Sequence, residues 1–299
     1  MIEMIIPHYL AKGDTIGIIA PARFIKPNEV SAFRKWAQSC GWNVVTSPNL
    51  FGENHQLSGS IEERVSDIQW ALENTDIKAV FCARGGYGCT QLLESLDKVD
   101  FKLNPKWWVG FSDITTLHLT IQNQGMASIH GPMVMQFNLE NHFNESNQRH
   151  LYNALSGFAN NVGLRNLEVL NKSDFEGQLV GGNLSLLFAH SGIVNKNYEG
   201  KVLFIEDLDE YYYHIDRMIC SLKLAKTFSG IKALIVGSMI DMRDNTIPFG
   251  KNVKEIILEH LENEGFPIIF DFPSGHDKQN VALKLGMNCT FEGHTFSQI

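Results

Sequence analysis

Short apolar runs alternate with stretches of helical period over the first 120 residues, and this alternation constrains the fold more than any other feature of the chain. "TIGIIA", "NVVTS", "IKAVFCA" and "WWVGF" have strand length and are bounded by turn residues. Between them "NEVSAFRKWAQSCGW" has helical period, with Asn28 the expected N-cap and Gly41 the expected stop. "SIEERVSDIQWALEN" opens with a capping box, Ser60 and Glu63, and sets Ile61, Val65, Ile68 and Leu72 on one face. "CTQLLESL" reads as a short helix. Strands apolar on both faces, joined through helices, belong in a mainly parallel sheet that helices cover on both sides.

Beyond residue 140 the rhythm breaks. A helical "NQRHLYNALSG" and the polar "FANNVG" interrupt it, and 299 residues are more than one domain usually needs. A boundary is therefore expected near Asn160, with domains at 1–160 and 161–299. The second half mixes strands ("KVLFIE", "KALIVGSM", "PIIFDF") with helices ("NLSLLFAHSG", "HIDRMICSLKLA", "VKEIILEHLENEG") and closes on β-like "VALKLGMNCTFEGHTFSQI". The fold class expected is α/β. Its N-terminal part is a mainly parallel sheet flanked by helices, flavodoxin-like or glutamine-amidotransferase-like. Its C-terminal part is a mixed α/β domain with β-barrel character.

Charge and cysteine content narrow the partners. A net charge of -8 disfavours nucleic acid and anionic membrane surfaces, which reward clustered Lys and Arg. No apolar run is long enough to span a bilayer, and Lys12-Gly13-Asp14 breaks the continuity that a signal peptide needs. Cys40, Cys82, Cys89, Cys220 and Cys289 are odd in number and lack paired spacing, so neither a disulfide framework nor a zinc site is expected. That usage fits a reducing compartment.

Two loops could carry chemistry in the first half. In "CARGGYGC" a strand runs into Gly85, Gly86 and Gly88, whose N–H groups can approach an anion closely, although the same glycines suit a plain tight turn. Ser112 follows the last strand in "GFSDI", half of the Gly-x-Ser-x-Gly nucleophile elbow, with Ile114 in place of the second glycine. A serine ahead of a helix is equally a preferred N-cap. A nucleophilic serine needs a base and the base needs an acid. His276 lies in the loop "FDFPSGHDKQN", and Glu206 ends the strand of "KVLFIEDLDEYYYHIDR". The rival for Glu206, Asp207, Asp209 and Glu210 is a solvated acidic loop or a divalent-metal site.

"RGGYG", "VGFSDIT", "HGPM", "GGNLSLL", "FIEDLDEYYYHIDRM" and "PSGHDKQNVALKLG", in this order, resemble the LD-carboxypeptidase family of serine peptidases, which includes the microcin-C self-immunity peptidases. The likeness runs from about residue 15 to the C-terminus. It implies Ser112 as nucleophile, Glu206 as orienting acid and His276 as base, with Gly86 and Asp113 N–H groups forming the oxyanion hole. It also implies a cytoplasmic homodimer without metal or other cofactor, acting on a small peptide, a muropeptide. Chain order then puts the nucleophile in one half and its partners in the other, so the active site is expected between the domains. Ser274 and the run Tyr211 to Tyr213 depart from the family pattern and bear on substrate preference.

An exopeptidase also needs a group to receive the free carboxylate, and Arg84 beside the glycine loop is the expected one. Arg217 is expected to hold the acidic loop. Two alternatives stay open. One is an immunity-type peptidase for aminoacyl-nucleotide antibiotics, with Tyr211 to Tyr213 or Trp107-Trp108 as a ring platform. The other is a peptide-binding module in which Ser112 is only a cap.

Overall fold

A computed structural model describes residues 4–139, 144–164, 168–171, 173–193 and 198–299. The chain forms two compact units, one of residues 1–160 and 278–287 and the other of 161–277 and 288–299.

In the first unit, β1 (Thr15–Ile19), β2 (Asn43–Thr46), β3 (Ile77–Cys82), β4 (Trp107–Gly110) and β5 (Ser128–His130) run parallel in the order β2-β1-β3-β4-β5. This is the flavodoxin-like order, in which the direction of winding reverses between β1 and β3. Helices α1 (Ser31–Ser39), α2 (Ile61–Glu73), α3 (Leu93–Leu96), α4 (Thr115–Asn123) and α5 (Glu145–Ser156) cover it. Successive strand residues feed opposite cores, because side chains alternate across a sheet. Ile18, Phe81 and Trp107 pack with Phe33, Trp36 and Leu151 of α1 and α5. Ile19, Val80 and Trp108 pack with Ile68 and Leu72 of α2 and Leu117 of α4. Each large side chain so buried contributes roughly 2–3 kcal/mol.

Three local expectations need correction. Asn28 does not cap α1, because Pro27–Val30 forms a 3-10 turn and the α-helix begins at Ser31. The capping box on α2 is present, with Glu63 N donating to Ser60 Oγ at 3.2 Å and Ser60 N to Glu63 Oε2 at 2.7 Å. Yet its buried face carries Arg64 and Asp67 beside Ile68, Ala71 and Leu72, while Ile61 is exposed. Asp67 tolerates burial because Ser47 Oγ donates to it at 2.6 Å and Asn49 N at 3.1 Å. Finally, residues 278–287 return to the first unit, where β12 (Leu283–Leu285) pairs antiparallel with β5.

The second unit is an eight-stranded sheet curled into a half-barrel. Its strands are β6 (Asn160–Gly163), β7 (Val169–Leu170), β8 (Phe175–Asn183), β9 (Val202–Leu208), β10 (Ala233–Ile240), β11 (Ile268–Ile269), β13 (Asn288–Glu292) and β14 (Thr295–Gln298). Their order is β6-β14-β13-β8-β9-β10-β11-β7, with β8 to β11 parallel. Helices α6 (Leu184–Ala189), α7 (Tyr212–Leu224) and α8 (Val253–Leu261) belong to this unit. Among the described residues no helix is long and apolar enough to cross a membrane.

Candidate active site

Ser112 sits where β4 hands over to α4, and its backbone answers the question its sequence raised. A 3-10 turn, Ser112–Ile114, intervenes, and neither this turn nor α4 has a side-chain cap. Ser112 instead adopts φ 62°, a left-handed conformation that costs a residue with a Cβ about 1–2 kcal/mol. Strain of this kind concentrates at functional sites. A cap has ordinary extended backbone, and Ser112 does not.

Buried side chains hold the turn. His118, on α4, hydrogen-bonds through Nε2 to Gly110 O at 2.8 Å, and burial pushes its pKa down to about 4, so it is neutral and Nε2 donates. Gly131 N donates to the same carbonyl at 3.1 Å. The Asp113 carboxylate accepts from Cys89 N at 2.8 Å, tying the turn to the far end of the glycine loop. A methyl group on Gly85 would lie 3.1 Å from Ser112 Cβ and 3.3 Å from its Oγ, so the loop passes directly over the serine. Gly86 has φ 101°, open to glycine almost alone.

Arg64 braces this loop from beneath, a role no sequence pattern announces. It is buried, donating through Nη1 to Pro21 O at 3.0 Å and Gly88 O at 2.9 Å, and through Nη2 to Gln91 Oε1 at 2.8 Å. It thus joins the segments that follow β1 and β3. Arg84 is half-buried, and among the described residues it forms no ion pair.

The second unit brings Glu206 and His276 together. Glu206 lies in β9 opposite Asn183 of β8 and is fully buried. His276 Nδ1 donates to its Oε2 at 2.6 Å, and 11% of the His276 side chain is exposed. Burial alone would lower the His276 pKa, but the charge and hydrogen bond of Glu206, with the charge of Asp207, outweigh it and raise the value above 6.5. Ser238, on β10, is marked by no sequence motif. Its Oγ accepts from His276 N at 2.7 Å, and its N donates to Ser274 O at 2.9 Å.

Glu206's acidic neighbours each have partners of their own besides Ser185 Oγ, which Asp207 and Glu210 share. Asp207 accepts from Asn183 Nδ2 at 2.9 Å, Ser185 N at 2.9 Å and Ser185 Oγ at 2.7 Å. Burial first, and the Glu206 charge second, push its pKa up to about 6. Asp209 pairs with Arg243 and Glu210 with His214. Among the described residues no group of three or more His, Cys, Asp or Glu is placed to hold a metal ion. Arg217 does not hold the acidic loop as expected; its guanidinium lies 5.3 Å from the Tyr213 ring centroid, and Arg243 takes the ion-pairing role. Trp107 and Trp108 are fully buried, so they offer no platform to a ligand. Tyr211, Tyr213 and His214 are half-buried and pack on one another with centroids 4.3–5.9 Å apart.

Known proteins are similar to this chain over both of its halves. Residues 16–131 match the family described as LD-carboxypeptidase N-terminal domain, and residues 176–291 that described as LD-carboxypeptidase C-terminal domain. A probable murein peptide carboxypeptidase of Bacillus subtilis is 31% identical over 289 residues, covering 94% of this chain and 89% of its own. The crystal structure of muramoyltetrapeptide carboxypeptidase from Oxalobacter formigenes superposes with TM-score 0.82 at 25% identity, covering 95% and 97% of the two chains. The microcin C7 self immunity protein MccF, in complex with aspartyl sulfamoyl adenosine, shares the fold with TM-score 0.86 at 22% identity, covering 99% and 98%. With both of its domains matched and a relative alike along nearly its whole length, the chain belongs to the LD-carboxypeptidase family.

Proposed function

We propose that the protein is a serine LD-carboxypeptidase that removes the terminal D-alanine from murein tetrapeptides, with Ser112, His276 and Glu206 as its triad. The observation that carries this reading is the 2.6 Å bond between His276 Nδ1 and the buried Glu206 carboxylate. A carboxylate held there fixes the ring so that Nε2 is the proton acceptor and stabilises the imidazolium that forms. The strained Ser112 backbone and the names of the carboxypeptidase relatives support it further.

In this scheme Ser112 Oγ attacks the carbonyl carbon on the L side of the scissile bond as His276 takes the hydroxyl proton. The tetrahedral oxyanion is met by the N–H groups of Gly86 and Asp113; losing one such donor typically costs about 3 kcal/mol of barrier. His276 returns the proton to the leaving D-alanine amine. Water, activated by the same histidine, then hydrolyses the acyl-enzyme and restores Ser112. The proposal extends to a metal-free cytoplasmic homodimer, on the strength of the family resemblance and five free cysteines.

The half-buried cluster of Tyr211, Tyr213 and His214 favours a second reading, in which the leaving group carries an aromatic ring that stacks there, as in an aminoacyl-nucleotide. Incubating purified protein with a murein tetrapeptide and with aspartyl sulfamoyl adenosine separates the two. Release of D-alanine is the expected result. Hydrolysis of the adenosine compound alone would overturn the first reading in favour of the second.

A further inference from the structure

We propose that Arg23 receives the free C-terminal carboxylate of the substrate, and so makes the enzyme selective for peptide acids over peptide amides. This rests on the carboxypeptidase reading and adds the residue that reading lacks. Arg23 follows β1, and the glycine loop follows β3, so the two flank the point where the winding of the sheet reverses. Open α/β sheets bind their ligands outside the carboxyl ends of the strands at that point.

Contacts across consecutive glycines set the scale. Gly85 lies against Ser112, and a methyl group on Gly86 would lie 2.6 Å from Arg23 Cδ and 2.7 Å from its Nε. Arg23 and the serine therefore bear on adjacent residues, whose Cα atoms are about 3.8 Å apart. A terminal residue likewise separates its scissile carbonyl from its free carboxylate by a single Cα. The absence of a side chain at Gly86 is what lets the Arg23 shaft lie there.

Two arginines serve this crevice, in opposite states. Arg64 spends its guanidinium on Pro21, Gly88 and Gln91 and holds the two loops together. Arg23 Nε is buried with no hydrogen-bond partner, and among the described residues no carboxylate pairs with this side chain. A buried N–H left unmade is costly, and few native groups are left so without a reason. A planar guanidinium with free donors matches a carboxylate in a fork-to-fork bond.

The test uses full-length Ser112→Ala protein, which holds the peptide without consuming it. Calorimetry compares a murein tetrapeptide ending in free D-alanine with the same peptide as its C-terminal amide. The acid is expected to bind about tenfold or more tightly than the amide, a preference lost in Ser112→Ala/Arg23→Ala and partly kept in Ser112→Ala/Arg23→Lys. Thermal melts matching the parent show that the variants are folded. An unchanged preference in Arg23→Ala, or its loss in Arg84→Ala instead, would overturn the assignment. So would equal binding of acid and amide by the parent. Tetrapeptide turnover by the wild-type protein reports separately on the carboxypeptidase reading, so a failure of Arg23 alone leaves that reading standing.

Discussion

His276 Nδ1 lies 2.6 Å from Glu206 Oε2, a carboxylate with no exposed surface, while the backbone N of the same histidine lies 2.7 Å from Ser238 Oγ. Ring and main chain are therefore both anchored, which a histidine without a task does not require. Because the folded pKa of His276 is raised above 6.5, the imidazole becomes a competent base only as pH climbs through that raised value. The acidic limb of kcat/KM for tetrapeptide hydrolysis is expected above pH 6.5. The stability that the raised His276 pKa supplies runs the opposite way, present below 6.5 and fading as pH rises through the raised value. A limb well below 6.5 would contradict the geometry.

Replacing Glu206 by Gln removes the charge and keeps the shape. The expected fall in kcat is about 10³–10⁴, the scale seen when a triad acid is lost. The acidic limb should also move to lower pH, because burial then acts on His276 with only Asp207 to oppose it. Stopped-assay pH profiles of Glu206→Gln against wild type decide the point.

Gly275→Ala tests the anchoring of the loop. Gly275 has φ 127°, and a methyl group there would lie 2.3 Å from Ser238 Oγ and 3.0 Å from Glu206 Oε2. The variant should lose roughly 2 kcal/mol or more of stability in urea titrations, with activity falling as well. A variant as stable as the parent would mean that the loop has room to move.

Chelation tests the rival for the acidic run. Glu206 to Glu210 are engaged by His276, by Asn183 with Ser185, by Arg243 and by His214. Activity should survive dialysis against EDTA. Loss that zinc or magnesium restores would return these carboxylates to a metal site.

Much of this was legible in the sequence, and what was not has physical reasons. The strand-helix rhythm of residues 15–123 and the Ser60–Glu63 box are local patterns, and local patterns survive into the fold. β8 is not among the strands expected from the sequence, because its glycines blur the strand pattern; Gly181 is glycine because a methyl there would lie 1.9 Å from Phe204 O. The pairing of Leu283–Leu285 with β5 joins segments some 150 residues apart, beyond the reach of any periodicity. Arg64 carries no pattern that marks it for burial, and only the loops it bonds explain why it is buried. The order of the motifs points to Ser112, Glu206 and His276, but the left-handed serine, the Ser238 anchor and the position of Arg23 depend on the tertiary fold.

Whether Ser112 is the nucleophile of a carboxypeptidase is read from the rate at which Ser112→Ala releases D-alanine from a murein tetrapeptide. Because Ser112 caps no helix and its Oγ bears no fold, the variant should keep the stability of the parent within about 1 kcal/mol. The expected fall in kcat is several orders of magnitude, on the order of 10⁴–10⁶. Release of D-alanine at near the wild-type rate would contradict it.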